Sequence, residues 1–81
     1  MALFFLHIRN GDQLIPDPDG AELADLDAAR AEARRATQEL VNEGLVTRRT
    51  APSQSIEIWD DAGNQLEVVP IEDVLGPHAA N

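Results

Sequence analysis

The chain has no cysteine, no lysine and no tyrosine, and Phe4, Phe5 and Trp59 are its three aromatic residues. Without cysteine there is no disulfide and no thiolate metal site, and the composition fits a reducing compartment. Positive charge is scarce: six arginines face 15 acids, for a formal net charge of −9. Affinity for a phosphate backbone comes from cations that displace counterions, so this balance disfavours nucleic acid. The same field would attract a basic protein partner. Long hydrophobic runs are missing too. The apolar start at residues 3–8 is too short to span a bilayer, and it lacks the basic region and cleavage site of a signal peptide. These absences lead us to expect a cytoplasmic protein that engages neither membrane nor nucleic acid.

At 81 residues the chain is one domain. A core this small supplies only roughly 3–5 kcal/mol unless a disulfide, a metal or a partner subunit helps it. With disulfides excluded, self-association is the expected aid.

Residues 3–8 alternate as a strand whose two faces are both apolar. Phe4, Leu6 and Ile8 lie on one side, and Leu3, Phe5 and His7 on the other. Such a strand suits a central position, covered on both sides. Asn10-Gly11 turns it back into a short return strand at residues 13–16, which Pro16 blunts. Asp17-Pro18-Asp19-Gly20 reads as a turn, and residues 21–23 as the lead into a helix. Asp25 is the expected N-cap. Residues 26–43 contain no Gly or Pro and place Leu26, Ala29, Ala33, Ala36, Leu40 and Val41 on one stripe. Alanine dominates that stripe, so the helix can lie close against a sheet. Gly44 is the expected left-handed C′ residue, with Leu45 folding back onto Leu40 or Val41. Residues 46–54 read as a loop. Two further strands follow, with Ile56, Ile58, Leu66 and Val68 inward, joined by a hairpin loop in which Gly63 supplies the positive φ. Residues 71–75 read as a helical turn, and 76–81 as a flexible C-terminal tail.

The expected fold is therefore α+β over residues 1–75, in the order β-β-α-β-β. It is a four-stranded antiparallel sheet with one helix packed on one face. Strand order 2-1-3-4 is preferred, and 1-2-3-4 is the other arrangement that the connections permit.

The run Phe4-Phe5-Leu6-His7-Ile8 followed by Asn10-Gly11 resembles the opening of a known bacterial family. So do Asp17, Gly20, Leu23 and the segment Asp25-Leu26-Asp27-Ala28-Ala29-Arg30-Ala31-Glu32-Ala33, and so does Asp60-Asp61-Ala62-Gly63 with Leu66, Val68 and Pro70. The family is a domain-of-unknown-function group of short proteins, common in rhizobia and related soil bacteria. The resemblance spans about residues 3–75. The chain departs from it with Leu6 where an aromatic is common and Asn10 where Asp is common. The family has no activity to transfer, so the resemblance implies an architecture and no chemistry.

His7 is the most chemically suggestive side chain. As a base it would need a nucleophile and an orienting group, and neither can be read in the sequence. The bland alternative is a part-buried hydrogen-bonding histidine. Asp17-x-Asp19-Gly20-x-Glu22 superficially matches a calcium loop but lacks the remaining ligands and the flanking helices. A turn capped by aspartates accounts for it equally well. Two histidines, His7 and His78, do not make a zinc site. Arg34, Arg35, Arg48 and Arg49 form the basic cluster, for which ion pairing, such as Arg35 with Glu39, is the ordinary explanation.

Leu3, Phe5, His7 and Trp59 carry more information. If the helix covers the Phe4/Ile56 side, they point to the opposite side, where a one-helix domain has nothing of its own except residues 71–75 to cover them. Exposed apolar patches mark interfaces, and Trp is enriched at their centres. The expectation is a non-enzymatic interaction module, without cofactor, that forms a homodimer through this face. The alternatives are a regulatory or antitoxin-like protein masking a basic partner, and a metal- or ligand-dependent activity around His7, Asp17 and Asp19.

Overall fold

A run of aromatic and aliphatic residues makes β1, Ala2–Asn10, the long strand on which everything else is registered. A computed structural model describes residues 1–75 of the chain; the expected tail at 76–81, with His78, lies outside the described residues. β2, Gln13–Ile15, pairs antiparallel with one end of β1, aligning Ile8 with Ile15. Gly11 carries the positive φ of +60° at the tip, and Asn10 is still paired in the strand, so the turn is the type with glycine at its first central position.

The sheet has five strands and not the four expected. Residues Ala21–Leu23, read as a helix lead-in, form a further strand, β3, paired antiparallel with Ala2–Phe4. β1 is long enough to hold two short partners end to end on one edge, which its own sequence does not announce. β4, Gln54–Asp60, takes the other edge of β1, and β5, Gln65–Pro70, lies outside β4. The order is thus β2-β1-β4-β5, with β3 beside β2 on the same edge of β1, in a five-stranded antiparallel sheet. This differs from the order expected for four strands, because the added strand shares an edge.

Helix α1, Leu26–Asn42, begins where expected: the Asp25 carboxylate accepts from the Ala28 N–H at 2.9 Å. It ends in a Schellman arrangement, with Leu45 N–H donating to Leu40 O at 2.9 Å, Gly44 N–H donating to Val41 O at 3.0 Å, and Gly44 at φ +78°. Ala29, Ala33 and Thr37 are its buried residues. Thr37 interrupts the apolar stripe and is satisfied by donating its hydroxyl to Ala33 O at 2.9 Å.

Two core clusters lie on the α1 side of the sheet. Phe4, Ile56, Ile58 and Val69 pack beneath Ala29 and Ala33, while Ile71, Val46 and Ala51 gather near the end of the helix. The supposed loop therefore contributes buried residues, and it includes a short 3₁₀ turn, Ala51–Ser53. α2, Ile71–Leu75, packs in this second cluster and so lies on the same side as α1.

The expected inward facing of Leu66 and Val68 is also overturned. A bulge between Ile58 and Trp59 sets Ile58 opposite Glu67 and Trp59 opposite Gln65, so Leu66 has no partner and the alternation restarts one residue later. Val69 is buried instead, and Leu66 and Val68 are exposed. Glu67, now on the helix side, forms a two-pronged ion pair with Arg30 of α1 at 2.7 Å on each prong.

Candidate functional site

With both helices on one side, the reverse face of the sheet is built from Leu3, Phe5, His7 and Arg9 of β1, Leu14 of β2, Glu22 of β3, Ser55, Glu57 and Trp59 of β4, and Val68 of β5. The register brings the predicted residues together. Phe5 stands opposite Trp59 and His7 opposite Glu57. The His7 ring lies 6.0 Å from Phe5, nearly parallel, and 5.8 Å from Trp59. Leu3, Phe5, His7 and Trp59 are half-buried by each other and by the adjoining loop. Among the described residues no helix or strand is laid across them, and residues 71–75 do not fold over this side.

Beneath the aromatic row sits a charge the sequence reading missed. Glu57 is only 5% exposed although it lies on the face without a helix. Its carboxylate accepts from the Trp59 indole N–H at 3.0 Å and from Arg9 Nε at 2.8 Å. The hydrogen bond from Arg9 is the main reason its carboxyl is held below the ordinary glutamate value; burial opposes this, and Trp59 and the positive charge of Arg9 add to it. The face is thus charge-balanced at its centre. The alternation Arg9, Glu57, Trp59 was visible in sequence, but their convergence depended on the β1–β4 register.

His7 and Asp17 also meet. Asp17 N–H donates to His7 Nδ1 at 2.9 Å, so Nδ1 carries a lone pair and the ring proton is on Nε2. The Asp17 carboxylate accepts from the Leu6 N–H at 3.2 Å on one oxygen, and from Asp19 and Gly20 N–H at 3.3 and 3.2 Å on the other. Asp17 thereby fills the gap left on the β1 edge between β2 and β3. Gly20 completes the loop at φ +70°; a Cβ there would stand 3.0 Å from Leu3 Cδ1, Phe4 O and Phe5 Cε1. Among the described residues no group of three or more His, Asp or Glu side chains is placed to hold a metal ion.

These positions, His7, Asp17, Gly20 and the capped helix, lie within a stretch that matches one family model over residues 3–72, a domain of unknown function designated DUF6894. The chain belongs to the DUF6894 family. Comparison with curated proteins and with solved structures gives no match. The DUF6894 match covers both hairpins, β3, α1 and the start of α2, so the whole reverse face falls inside the family domain.

Elsewhere, Arg35 pairs with Glu32 and with Glu39, the latter at 2.8 Å, as expected of the basic cluster. After Met1, the most exposed large apolar residues among the described residues are not on the predicted face: Leu45 is 63% and Ile15 51% exposed. Both border a shallow groove beside Ile8, Leu40 and Val46 at the C-terminal end of α1. Leu45 follows the expected backbone path, but its side chain does not bury. Among the described residues no helix is long and apolar enough to cross a membrane.

Proposed function

We propose that this DUF6894 domain is a non-enzymatic interaction module that pairs with a second copy of itself through the Phe5/His7/Trp59 face. The supporting observation is that α1 and α2 both pack on the opposite side, leaving a half-buried aromatic row with no covering element among the described residues. Charge favours a like partner at this place. Arg9 neutralises Glu57, so two copies meeting face to face bring together apolar and balanced ground at the centre of the face, with the exposed Glu22 at its β3 margin. A domain of this size also gains most from added burial.

Light scattering coupled to size exclusion at high micromolar concentration tests the reading. The expected mass is twice the 8.8 kDa of one chain. Val68→Asp alters an exposed side chain on this face and is expected to return the protein to one chain without unfolding it. A single-chain mass for the unmodified protein overturns the proposal. The alternative, masking of a basic partner by the acidic surface, is supported by the net charge of −9 alone.

A further inference from the structure

The segment 16–20 is held on β1 by interlocking contacts that use one titratable ring as an acceptor. β2 and β3 both borrow the same edge of β1, at Ile8–Asn10 and at Ala2–Phe4. Between them the segment 16–20 must cross three residues of open strand edge, and it does so with Asp17. The side chain of Asp17 receives the Leu6 N–H and closes the turn onto Asp19 and Gly20, and its backbone N–H is delivered to His7 Nδ1. We propose that His7 is a pH-operated latch: with Nδ1 unprotonated it holds segment 16–20 on the edge of β1, and protonation of the ring releases that segment.

Donors and acceptors decide the outcome. A backbone N–H can only donate, and a protonated imidazole has two N–H donors and no acceptor. Once Nδ1 is protonated, two donors face each other across 2.9 Å, and one of them has to move. The Asp17 peptide cannot turn away alone, because its side chain is tied to the N–H groups of Leu6, Asp19 and Gly20. Gly20 is wedged against Leu3, Phe4 and Phe5, so the segment moves as a unit. The ionisable groups around the ring work in both directions. Glu57 on β4 and Asp17 and Asp19 on the segment attract an imidazolium; Arg9 on β1 repels it. Phe5 and Trp59 flank the ring without titrating. The Asp17 carboxylate is already engaged by the Leu6, Asp19 and Gly20 N–H groups, and that of Glu57 by Arg9 and Trp59. Histidine is the side chain type whose ordinary charge change lies between about pH 5 and 8, which sets the range over which the latch is tested. The latch operates within one protomer and does not depend on the dimer proposed above.

Two NMR readouts of the full chain test it: the tautomer of His7 from imidazole ¹⁵N shifts, and amide exchange protection, corrected for intrinsic rates, between about pH 8 and pH 5. At the upper pH the ring should carry its proton on Nε2. As His7 titrates, protection at Leu6, Asp17 and Gly20 should fall together by about tenfold or more, while Ile56 and Ile58 in the core keep theirs. In His7→Asn the side-chain oxygen takes the place of Nδ1 and cannot titrate, so protection should persist to the lower pH. If that variant does not fold, the unmodified protein alone decides the matter. An Nδ1–H tautomer at high pH, a ring that stays unprotonated to the lower pH, or titration with unchanged protection at all three amides overturns the proposal. So does a folded His7→Asn protein that loses protection as the unmodified one does.

Discussion

Glu57 condenses several competing effects into one side chain. Burial under Trp59 favours its neutral form, yet the guanidinium of Arg9 and the indole N–H favour the charged one, and the hydrogen bonds win. A carboxyl held below its unfolded value contributes stability that is fully present above the ordinary glutamate value of 4.5 and is lost as pH falls through the folded value. Glu57→Gln should therefore lower stability near neutral pH by roughly 1.5–3 kcal/mol, the range for a hydrogen bond to a charged group. The lower part of that range is expected, since the Arg9 side chain is 36% exposed. The variant should also lack part of the loss that the unmodified protein shows below pH 4.5. Urea midpoints at neutral pH and through the acid range, followed by Trp59 fluorescence, check both effects; an unchanged acid profile would count against the pairing. The sequence offered Arg9, Glu57 and Trp59 as separate letters. Nothing local joins residues 48 positions apart, and so the buried ion pair was not legible.

Among the elements, α1 was the most legible. Its cap, its C′ glycine and its alanine stripe are all encoded within a few residues, where spacing and hydrogen-bonding capacity decide the outcome. Ala29 and Ala33 have no exposed surface, which means the helix sits as close to the sheet as a methyl allows. Ala33→Leu should consequently cost about 1–3 kcal/mol by overpacking. The same change at Ala36, which is only half-buried, should cost less. Thermal melts of the two variants give the comparison, and an equal effect would mean that α1 does not dock as described. The β-hairpins were legible as hairpins, but the facing of the last strand was not. One unpaired residue, Leu66, reverses the alternation, and a bulge reveals itself only against a partner strand. The same holds for β3, whose three residues become a strand only because β1 has edge left over.

Over the whole molecule, negative charge exceeds positive by nine. Self-repulsion of that size destabilises the folded chain, and salt screens it. Salt also weakens the ion pairs of Arg30 and Arg35, but pairs at the surface contribute little. Added sodium chloride should therefore raise the melting temperature, by a few degrees for a domain of roughly this size. A fall on adding salt would show that the pairs outweigh the repulsion. The placement of the charge matters as much as its amount, since Arg9 balances Glu57 at the centre of the aromatic face and leaves Glu22 as an exposed acid at its β3 margin.

Read by itself, the sequence determined the type of each long element, the turns between them and the two faces of β1, because these follow from backbone sterics and side-chain spacing over a handful of residues. The tertiary structure alone decided which edge β3 would use, which side α2 would take and which way β5 would turn. It also decided that Asp17 would meet His7 across the gap between β2 and β3. Those outcomes depend on hydrogen-bonding groups and apolar surface left unsatisfied by one segment and supplied by another far along the chain.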